Sequence, residues 1–402
     1  MTFNSVIQPI NIHQPQGLQL PPLSLYIHVP WCIRKCPYCD FNSHQADKSQ
    51  NSAGELPEQE YIQALLDDLK QETGAIQGRA LHSIFIGGGT PSLLSPESYK
   101  QLFAGLKEQL SFSPNMEITM EANPGTFEQE RFNGFRKAGI NRLSIGVQSF
   151  HDSCLKALGR IHSGHEAQKA MAMARAAGFD NINLDLMHGL PEQTEAMAME
   201  DLATAAALKP EHISWYQLTI EPNTVFWSKP PALPEDDTLW NIQEKGQAFL
   251  ASHGYKQYEI SAYGRTGKQS HHNLNYWQFG DFIGIGAGAH GKMTDLNSGL
   301  IRRNWKTRLP GDYLNSEKAF LAGERILQPD ELPLEFMMNA LRLHSGVNAE
   351  LYQQRTGLSL EKQKETLENL RSMGLLVSDP ERIQPTERGS LFLNELLEHF
   401  CS

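Results

Sequence analysis

Cysteine is scarce in this sequence, and that scarcity limits what its thiols can build. The 402 residues include five cysteines, an odd number. Disulfide frameworks are typical of small secreted domains with paired cysteines, so none is expected here. Residues 1–16 also lack a charged flank followed by an apolar core, which predicts that there is no signal peptide. Reduced thiols without an export signal predict a cytoplasmic protein.

Long apolar runs and a surplus of basic residues are also missing. No run of 18 uninterrupted apolar residues occurs, so no transmembrane helix is expected. The formal net charge is −11, and there is no long block of Lys and Arg. Phosphate backbones are bound by clustered basic side chains, so nucleic acid is not expected as the main partner.

Three of the five cysteines stand close together in a CxxxCxxC pattern, at Cys32, Cys36 and Cys39. Residues 24–29 before them read as a short strand, and Pro30 ends it because proline cannot donate to a ladder. Structural zinc takes four ligands, often from two CxxC pairs, and the second pair is missing. A 4Fe–4S cube prefers four thiolates, so three would leave one iron open to an outside ligand. The alternative is three unrelated buried thiols.

Short β-rich runs alternate with helical stretches over the first half of the chain, which predicts an α/β fold. Parallel strands joined by right-handed crossovers follow from this alternation, and six units fit a partial α/β barrel. In such barrels the functional residues lie at the C-terminal ends of the strands. The predicted strands are 24–29, 83–87, 117–122, 142–147, 181–187 and 212–220.

Polar or glycine-rich residues follow these predicted strands. A GGGTP sequence with Gly88, Gly89 and Thr90 comes after the second strand, and its backbone amides could donate to a carboxylate or a phosphate. Glu121 ends the third strand, and a carboxylate at a barrel mouth suits ribose hydroxyls. Gln148 and Asp185 occupy similar positions on later strands. Each has an ordinary structural explanation, but their common placement predicts a ligand site.

The sequence YIHVPWCIRKCPYCDF resembles the radical S-adenosylmethionine (SAM) superfamily, in the branch that holds oxygen-independent coproporphyrinogen III oxidase and related heme chaperones. The resemblance implies a partial (β/α)6 radical-SAM barrel, a 4Fe–4S cluster on Cys32, Cys36 and Cys39, and SAM on the open iron. The oxidase pattern continues to a fourth cysteine where this chain has Phe41. That difference favours the chaperones.

The same resemblance implies a set of SAM contacts. Several of them fall where the oxidase places a second SAM, and Thr219 is the weakest match because the oxidase pattern has alanine there. The implied contacts are Tyr26, Tyr38, Gly88, Gly89, Thr90, Glu121, Gln148, Arg160, Asp185 and Thr219.

A second informative stretch, His271 to Trp277, is rich in histidine and aromatic residues. Imidazole is a standard axial ligand of heme iron, and flat aromatic rings can stack on a porphyrin. Its HNxxYW core resembles a heme-associated motif of the chaperone-like proteins and covers His272, Asn273, Tyr276 and Trp277. The alternative is an aromatic corner that closes the barrel. His290, in a glycine-rich run downstream, is a second candidate heme contact.

These observations predict four regions. Residues 1–22 form a loose extension, 23–228 the barrel, 229–330 a connecting region with the HNxxYW motif, and 331–402 a small winged-helix-like domain. The last region has balanced charge and no basic face, which disfavours DNA binding.

The functional hypothesis is a heme chaperone that binds heme and transfers it to acceptor proteins, without being an enzyme. The alternative is a radical-SAM oxidase of porphyrin biosynthesis, which would abstract hydrogen from a porphyrinogen propionate. The sequence leaves open a homodimer and peripheral contact with membrane heme proteins.

Overall fold

The computed structural model describes residues 17–46, 56–125 and 129–401. Most of the expected N-terminal extension, residues 1–16, lies outside the described residues. In the described ranges, no helix is both long enough and apolar enough to cross a bilayer.

The described residues form sixteen strands or short bridged segments. They are β1 Leu23–Val29, β2 Trp31–Cys32, β3 His44–Gln45, β4 Leu81–Gly88, β5 Phe112–Ala122, β6 Arg142–Gln148, β7 Ile182–His188, β8 His212–Gln217, β9 Lys256–Glu259, β10 Ala262–Gly264, β11 Asp281–Ile285, β12 His290–Asp295, β13 Leu300–Lys306, β14 Leu321–Ile326, β15 Val347–Asn348 and β16 Arg382–Ile383.

The same part of the chain forms fifteen α-helices and three short 3-10 helices, at Thr73–Ala75, Pro91–Leu93 and Leu360–Gln363. The α-helices are α1 Glu58–Glu72, α2 Pro96–Gln109, α3 Gln129–Ala138, α4 Asp152–Ala157, α5 Gly164–Ala176, α6 Glu195–Ala207, α7 Val225–Ser228, α8 Asp236–Ser252, α9 His271–Trp277, α10 Pro310–Tyr313, α11 Leu332–Ala340, α12 Glu350–Thr356, α13 Lys364–Ser372, α14 Glu387–Leu391 and α15 Leu393–Glu398.

The barrel predicted from strand–helix alternation is confirmed. Strands β1, β4, β5, β6, β7 and β8 are neighbours in chain order, and each adjacent pair is parallel. Helices connect them, as parallel strands require. The C-terminal ends of all six therefore meet along one rim.

Residues 229–330 extend the same sheet on both sides. Strand β11 pairs in parallel with the free edge of β1, and β12, β13 and β14 follow in antiparallel order. Strands β10 and β9 add to the other end, beyond β8. Strand β1 thus lies inside a twelve-stranded sheet, between the parallel barrel and an antiparallel extension.

The alternation in β1, LSLYIHV, decides which of its side chains reach the barrel interior. Leu25 and Ile27 are fully buried and belong to the main core, together with Tyr61 and Leu65 of α1. Successive side chains of a strand point to opposite faces. Ser24, Tyr26 and His28 therefore share the interior face, and the Ser24 hydroxyl lies 2.8 Å from that of Ser83 on β4.

The C-terminal helices have their own core, which reaches back to the barrel extension. Phe336 of α11 packs edge-on against Phe279, with ring centroids 5.7 Å apart, and against Tyr352 of α12. Leu376 and Pro385 form an antiparallel bridge, in which the Val377 amide donates to the Gln384 carbonyl at 3.0 Å. Strand β16 also pairs with β15 in antiparallel order.

A buried charge cluster fixes β11 beside β1. The Asp281 carboxylate contacts Arg79 Nη1 at 2.7 Å and Lys292 Nζ at 2.9 Å, and it accepts hydrogen bonds from the Thr294 amide and hydroxyl. Lys292 is 2% exposed. If one partner of a buried ion pair is removed, the other charge stays buried without compensation in a medium of low polarity.

We expect Asp281→Asn to destabilise the protein by about 3–5 kcal/mol, because Lys292 would stay buried without its carboxylate. Chemical denaturation followed by circular dichroism measures this. Glu361→Gln, which removes an exposed partner of Lys364, is the control and should change stability by less than about 0.5 kcal/mol. Equal midpoints for the two variants would contradict the role given to the buried cluster.

Candidate functional site

The loop after β1 carries the three cysteines, and each sulfur lies near a hydrogen-bonding side chain. Thr90 Oγ1 donates to Cys32 Sγ at 3.6 Å, and Arg160 Nη1 donates to Cys36 Sγ at 3.7 Å. Cys39 Sγ lies 3.9 Å from Ser43 Oγ. Donors around sulfur ligands orient them and tune the metal they hold.

The glycine-rich turn after β4 fixes this loop in place. The Gly89 amide donates to the Val29 carbonyl at 2.7 Å, and the Thr90 amide donates to the Trp31 carbonyl at 2.7 Å. A Cβ on Gly89 would lie 2.5 Å from the Trp31 carbonyl oxygen, so only glycine permits this approach. These two amides therefore hold the cysteine loop, which differs from the expectation that they donate to a ligand.

The remaining amide of this turn also has a protein partner. Gly88 N donates to Glu121 Oε2 at 3.2 Å. Gly88 has φ +109°, and a Cβ there would lie 2.5 Å from the His28 ring. The glycine turn thus brings β1, β4 and β5 together at the rim.

A cavity of about 340 Å³ opens beside the cysteine loop at the C-terminal ends of the barrel strands. It brings together eleven of the thirteen residues predicted to contact the cluster or SAM. These are Cys32, Cys36, Tyr38, Cys39, Gly88, Gly89, Thr90, Glu121, Gln148, Arg160 and Asp185.

The other two predicted SAM residues lie outside this cavity. Tyr26 lines a neighbouring cavity, and its hydroxyl lies 3.0 Å from His28 Nδ1. Thr219 is exposed and donates to Glu221 Oε1 at 3.0 Å. Both therefore stay predicted contacts, and Tyr26 is close enough to Glu121 on the cavity wall to interact with its charge.

Two carboxyl groups face the cavity and disfavour each other's ionisation. Burial and, to a smaller extent, the nearby Asp185 together raise the pKa of Glu121 to about 8, although the Gly88 hydrogen bond opposes the rise. Burial also raises the pKa of Asp185, although Ser144 and Asn183 donate to its two oxygens at 2.8 Å. A ligand with positive charge or hydroxyl donors would relieve this pair.

Arg160 links the cysteine loop to the barrel strands. Its Nη2 donates to Asn123 Oδ1 at 2.6 Å and to the Gly146 carbonyl at 2.9 Å, while Nη1 contacts Cys36. Gln148 has a positive φ of 67°, which is unusual for a residue other than glycine and is common at ligand sites. Tyr216 donates to its side-chain oxygen at 3.1 Å, a contact that no motif in the sequence indicated.

The donor set fits a 4Fe–4S cube. Three sulfurs line one cavity, each with a nearby donor. Within the described ranges, no three His, Cys, Asp or Glu side chains converge closely enough to ligate a single ion. In a cube each thiolate binds a different iron, so wider spacing of the sulfurs is compatible with it. Burial raises the pKa of the Cys32 and Cys39 thiols, and metal ligation is what deprotonates such thiols.

A second and larger cavity, of about 890 Å³, lies on the other side of the cysteine loop. We call it the aromatic cavity. Its walls carry several aromatic rings and basic side chains. Among its lining residues are Tyr26, His28, Asp40, Phe41, Tyr276, Trp277, Phe282, His290, Arg303, Trp305 and Arg308. Phe41, whose side chain is 58% exposed, lines both cavities and stands between them.

The HNxxYW residues form helix α9, and only part of the motif reaches the aromatic cavity. Tyr276 and Trp277 line it, whereas His272 and Asn273 do not. His272 is 1% exposed, and its two ring nitrogens lie 2.9 Å from Ser83 Oγ and 2.9 Å from Tyr276 Oη. Burial, with a smaller contribution from Arg142, lowers the pKa of His272 to about 3. His272 thus holds Tyr276 in place from beneath the cavity wall.

Comparison with known proteins identifies the family. A family model for the radical SAM superfamily matches residues 26–205, and one for the HemN C-terminal domain matches residues 327–392. The heme chaperone HemW of Haemophilus influenzae is 52% identical over 96% of this chain and 99% of its own length. HemW of Escherichia coli is 50% identical over 96% of this chain and its own full length. The chain belongs to the HemW family.

The fold of this HemW family member is also that of a solved radical SAM enzyme. Coproporphyrinogen III oxidase (HemN) from Escherichia coli aligns with a TM-score of 0.78, over 97% of this chain and 92% of its own. At 22% identity the likeness shows a common architecture. Membership of the radical SAM superfamily implies a 4Fe–4S cluster and SAM as cofactors.

The raised pKa of Glu121 predicts a specific pH dependence for the protein without ligands. As pH rises from about 4.5 to about 8, the unfolded state loses the Glu121 proton while the folded state keeps it, so stability falls. Glu121→Gln has no proton to lose at this position, so the variant should not show this fall in stability. We expect the melting temperature of Glu121→Gln to exceed that of the wild type by several degrees at pH 8, at about 2–4 °C per kcal/mol.

The advantage of the variant should shrink towards pH 4.5, as thermal unfolding at a series of pH values would show. Glu108→Gln, an exposed change on α2, is the matched control and should show no such trend. A difference between Glu121→Gln and wild type that stays constant with pH would contradict the assignment.

Proposed function

We propose that this protein is a heme chaperone, which binds heme and passes it to acceptor proteins. The observation that carries the proposal is the pairing of two cavities across Phe41, one with three cysteine sulfurs and the other with aromatic and basic walls. The names of the relatives, heme chaperone HemW, support it. The acceptors are heme proteins, and membrane-bound acceptors would be met by peripheral contact, with the chaperone acting as a monomer or a homodimer.

In this proposal Cys32, Cys36 and Cys39 would hold the 4Fe–4S cluster, and its open iron would bind SAM. When bound, the cluster supplies an open iron and an electron. The chain's own residues orient the ligands: Thr90 and Arg160 donate to sulfur, and Glu121 and Asp185 face a positively charged nucleoside. A sulfonium beside two carboxyls favours their ionised forms, which matches their raised pKa values without a ligand.

Heme suits the aromatic cavity in shape and charge. Its volume is near the upper end of the range for small-molecule sites. Tyr276 and Phe282 pack edge-on with ring centroids 4.6 Å apart, which gives a rigid apolar wall for a flat macrocycle. Basic side chains around the cavity provide partners for propionate groups.

The alternative function, oxidation of a porphyrinogen, has weaker support. The solved oxidase shares the architecture at 22% identity. Phe41, which stands where the oxidase pattern has a fourth cysteine, lies between the two cavities. A direct assay with coproporphyrinogen III and SAM under anaerobic conditions distinguishes the two functions, and turnover to protoporphyrinogen would contradict the chaperone.

We expect the triple change Cys32→Ala, Cys36→Ala and Cys39→Ala to abolish cluster assembly and to leave heme binding within a few-fold of wild type. The reason is that none of the three cysteines lines the aromatic cavity. Iron and sulfide analysis after anaerobic reconstitution reports the cluster, and a heme titration reports the second site. The control is Cys401→Ser, an exposed cysteine that should assemble a full cluster. A cluster retained by the triple variant would refute the proposed ligation.

A further inference from the structure

Histidine is the expected protein ligand for heme iron, and the aromatic cavity offers two histidines among the described residues, His28 and His290. His28 has no free nitrogen. Its Nε2 donates to the Asn42 carbonyl at 2.8 Å, so its Nδ1 must accept from the Tyr26 hydroxyl at 3.0 Å. His28 is also only 5% exposed. It is therefore a structural histidine.

His290 differs from His28 in both respects. It is exposed at the start of β12, and no described residue hydrogen-bonds its ring nitrogens. Partial burial, followed by the charges of Arg303 and Arg308, lowers the pKa of His290 below its ordinary value. The imidazole is therefore neutral near pH 7, which is the form that binds iron.

Strand register places His290 on an aromatic and basic face. In the antiparallel pair of β12 and β13, His290 stands opposite Trp305, and Lys292 stands opposite Arg303. Directly opposed side chains lie on the same face of a sheet. A Cβ on Gly323, the next residue across from Trp305, would lie 2.3 Å from the indole. The absence of a side chain there lets the Trp305 ring lie close against β14, beside His290.

The charges around the cavity leave one cation available to a ligand. The other four basic residues of its lining are paired with acids: Lys292 with Asp281, Lys306 with Asp68 and Glu72, Arg303 with Glu335, and Arg325 with Glu331 and Glu335. Arg308 is exposed and forms no ion pair with any described residue. Its charge acts on both His290 and His44, which places it at the same end of the cavity as His290.

We propose that His290 is the axial ligand of the heme iron and that Arg308 binds a heme propionate, an inference that rests on the proposed chaperone function. In this arrangement the side chains of Trp305 and Tyr276 form the cavity walls that contact the macrocycle. His272 is a positioning residue: it holds the Tyr276 hydroxyl through one nitrogen and Ser83 through the other, and it reaches no ligand. The HNxxYW motif thus builds the cavity wall, while the iron ligand comes from the antiparallel extension.

Heme titrations of the reconstituted protein test this assignment, followed by Soret difference spectra and by electron paramagnetic resonance of the ferric heme. We expect His290→Ala to bind heme at least tenfold more weakly and to lose the wild-type axial-ligand signature. His272→Ala should weaken binding while keeping that signature, because the iron ligand remains. His290→Gly with added imidazole should recover the wild-type spectrum, which separates loss of a ligand from misfolding.

Arg308 is tested with a ligand that lacks the propionate charges. We expect Arg308→Ala to weaken binding of heme several-fold and to leave binding of heme dimethyl ester unchanged. The matched control is Arg302→Ala on β13, the strand that precedes Arg308, since Arg302 pairs with Glu324 and does not line the cavity. It should bind both ligands like wild type.

The possible failures are distinguishable. If wild-type protein does not bind heme, the proposed function and this assignment both fail. If wild type binds heme and His290→Ala keeps its affinity and spectrum, the assignment alone is overturned. A spectrum that changes in His272→Ala and not in His290→Ala would identify His272 of the HNxxYW motif as the axial ligand instead.

Discussion

The parallel pairing of β1 on both of its edges is the constraint on which the rest of this structure depends. Strand β4 lies on one side of β1, and β11 lies on the other. The cysteine loop leaves the C-terminal end of this inner strand, so it lies above the boundary between the barrel and the antiparallel extension. That position places one cavity on each side of the loop, with Phe41 between them. A loop that followed an edge strand of the barrel would have a cavity on one side only.

The two cavities differ in how their charged side chains are compensated. On the barrel side, buried carboxyls are held at strand ends beside Gln148, and a positively charged nucleoside would favour the ionised form of these carboxyls. On the extension side, most basic groups are already neutralised by buried acids such as Asp281 and Asp68. Those ion pairs fix β11 to β13 in place. His290 and Arg308, which line the cavity and pair with no described acid, are then the groups available to bind a ligand.

The sequence was sufficient for the barrel and for most of the first cavity, because both depend on local pattern. Alternating runs located the six strands, and eleven predicted residues meet at one rim because parallel strands end together. Tyr26 lines the neighbouring cavity, and Thr219 lies in the exposed segment after β8. The amides of Gly89 and Thr90 are used by the cysteine loop, a long-range contact that no motif indicates.

The aromatic cavity could not be derived from the sequence, because its walls come from separate segments. Phe41 follows β1, Tyr276 lies on α9, and Arg308 follows β13. The HNxxYW motif predicted a heme contact at His272, and spacing alone could not show that His272 is enclosed by Ser83 and Tyr276. The alternative weighed for this motif, an aromatic corner that packs the barrel, describes the position of His272 well and that of Tyr276 only in part.

The central claim is that three thiolates at the end of β1 leave one iron of a cube open to SAM. Mössbauer spectroscopy of protein reconstituted with ⁵⁷Fe, with and without SAM, tests it most directly. The account predicts that one of the four irons changes its spectrum when SAM is added, because that iron gains nitrogen and oxygen ligands, and that three stay unchanged. Four unchanged irons, or zinc in place of the cluster, would contradict it.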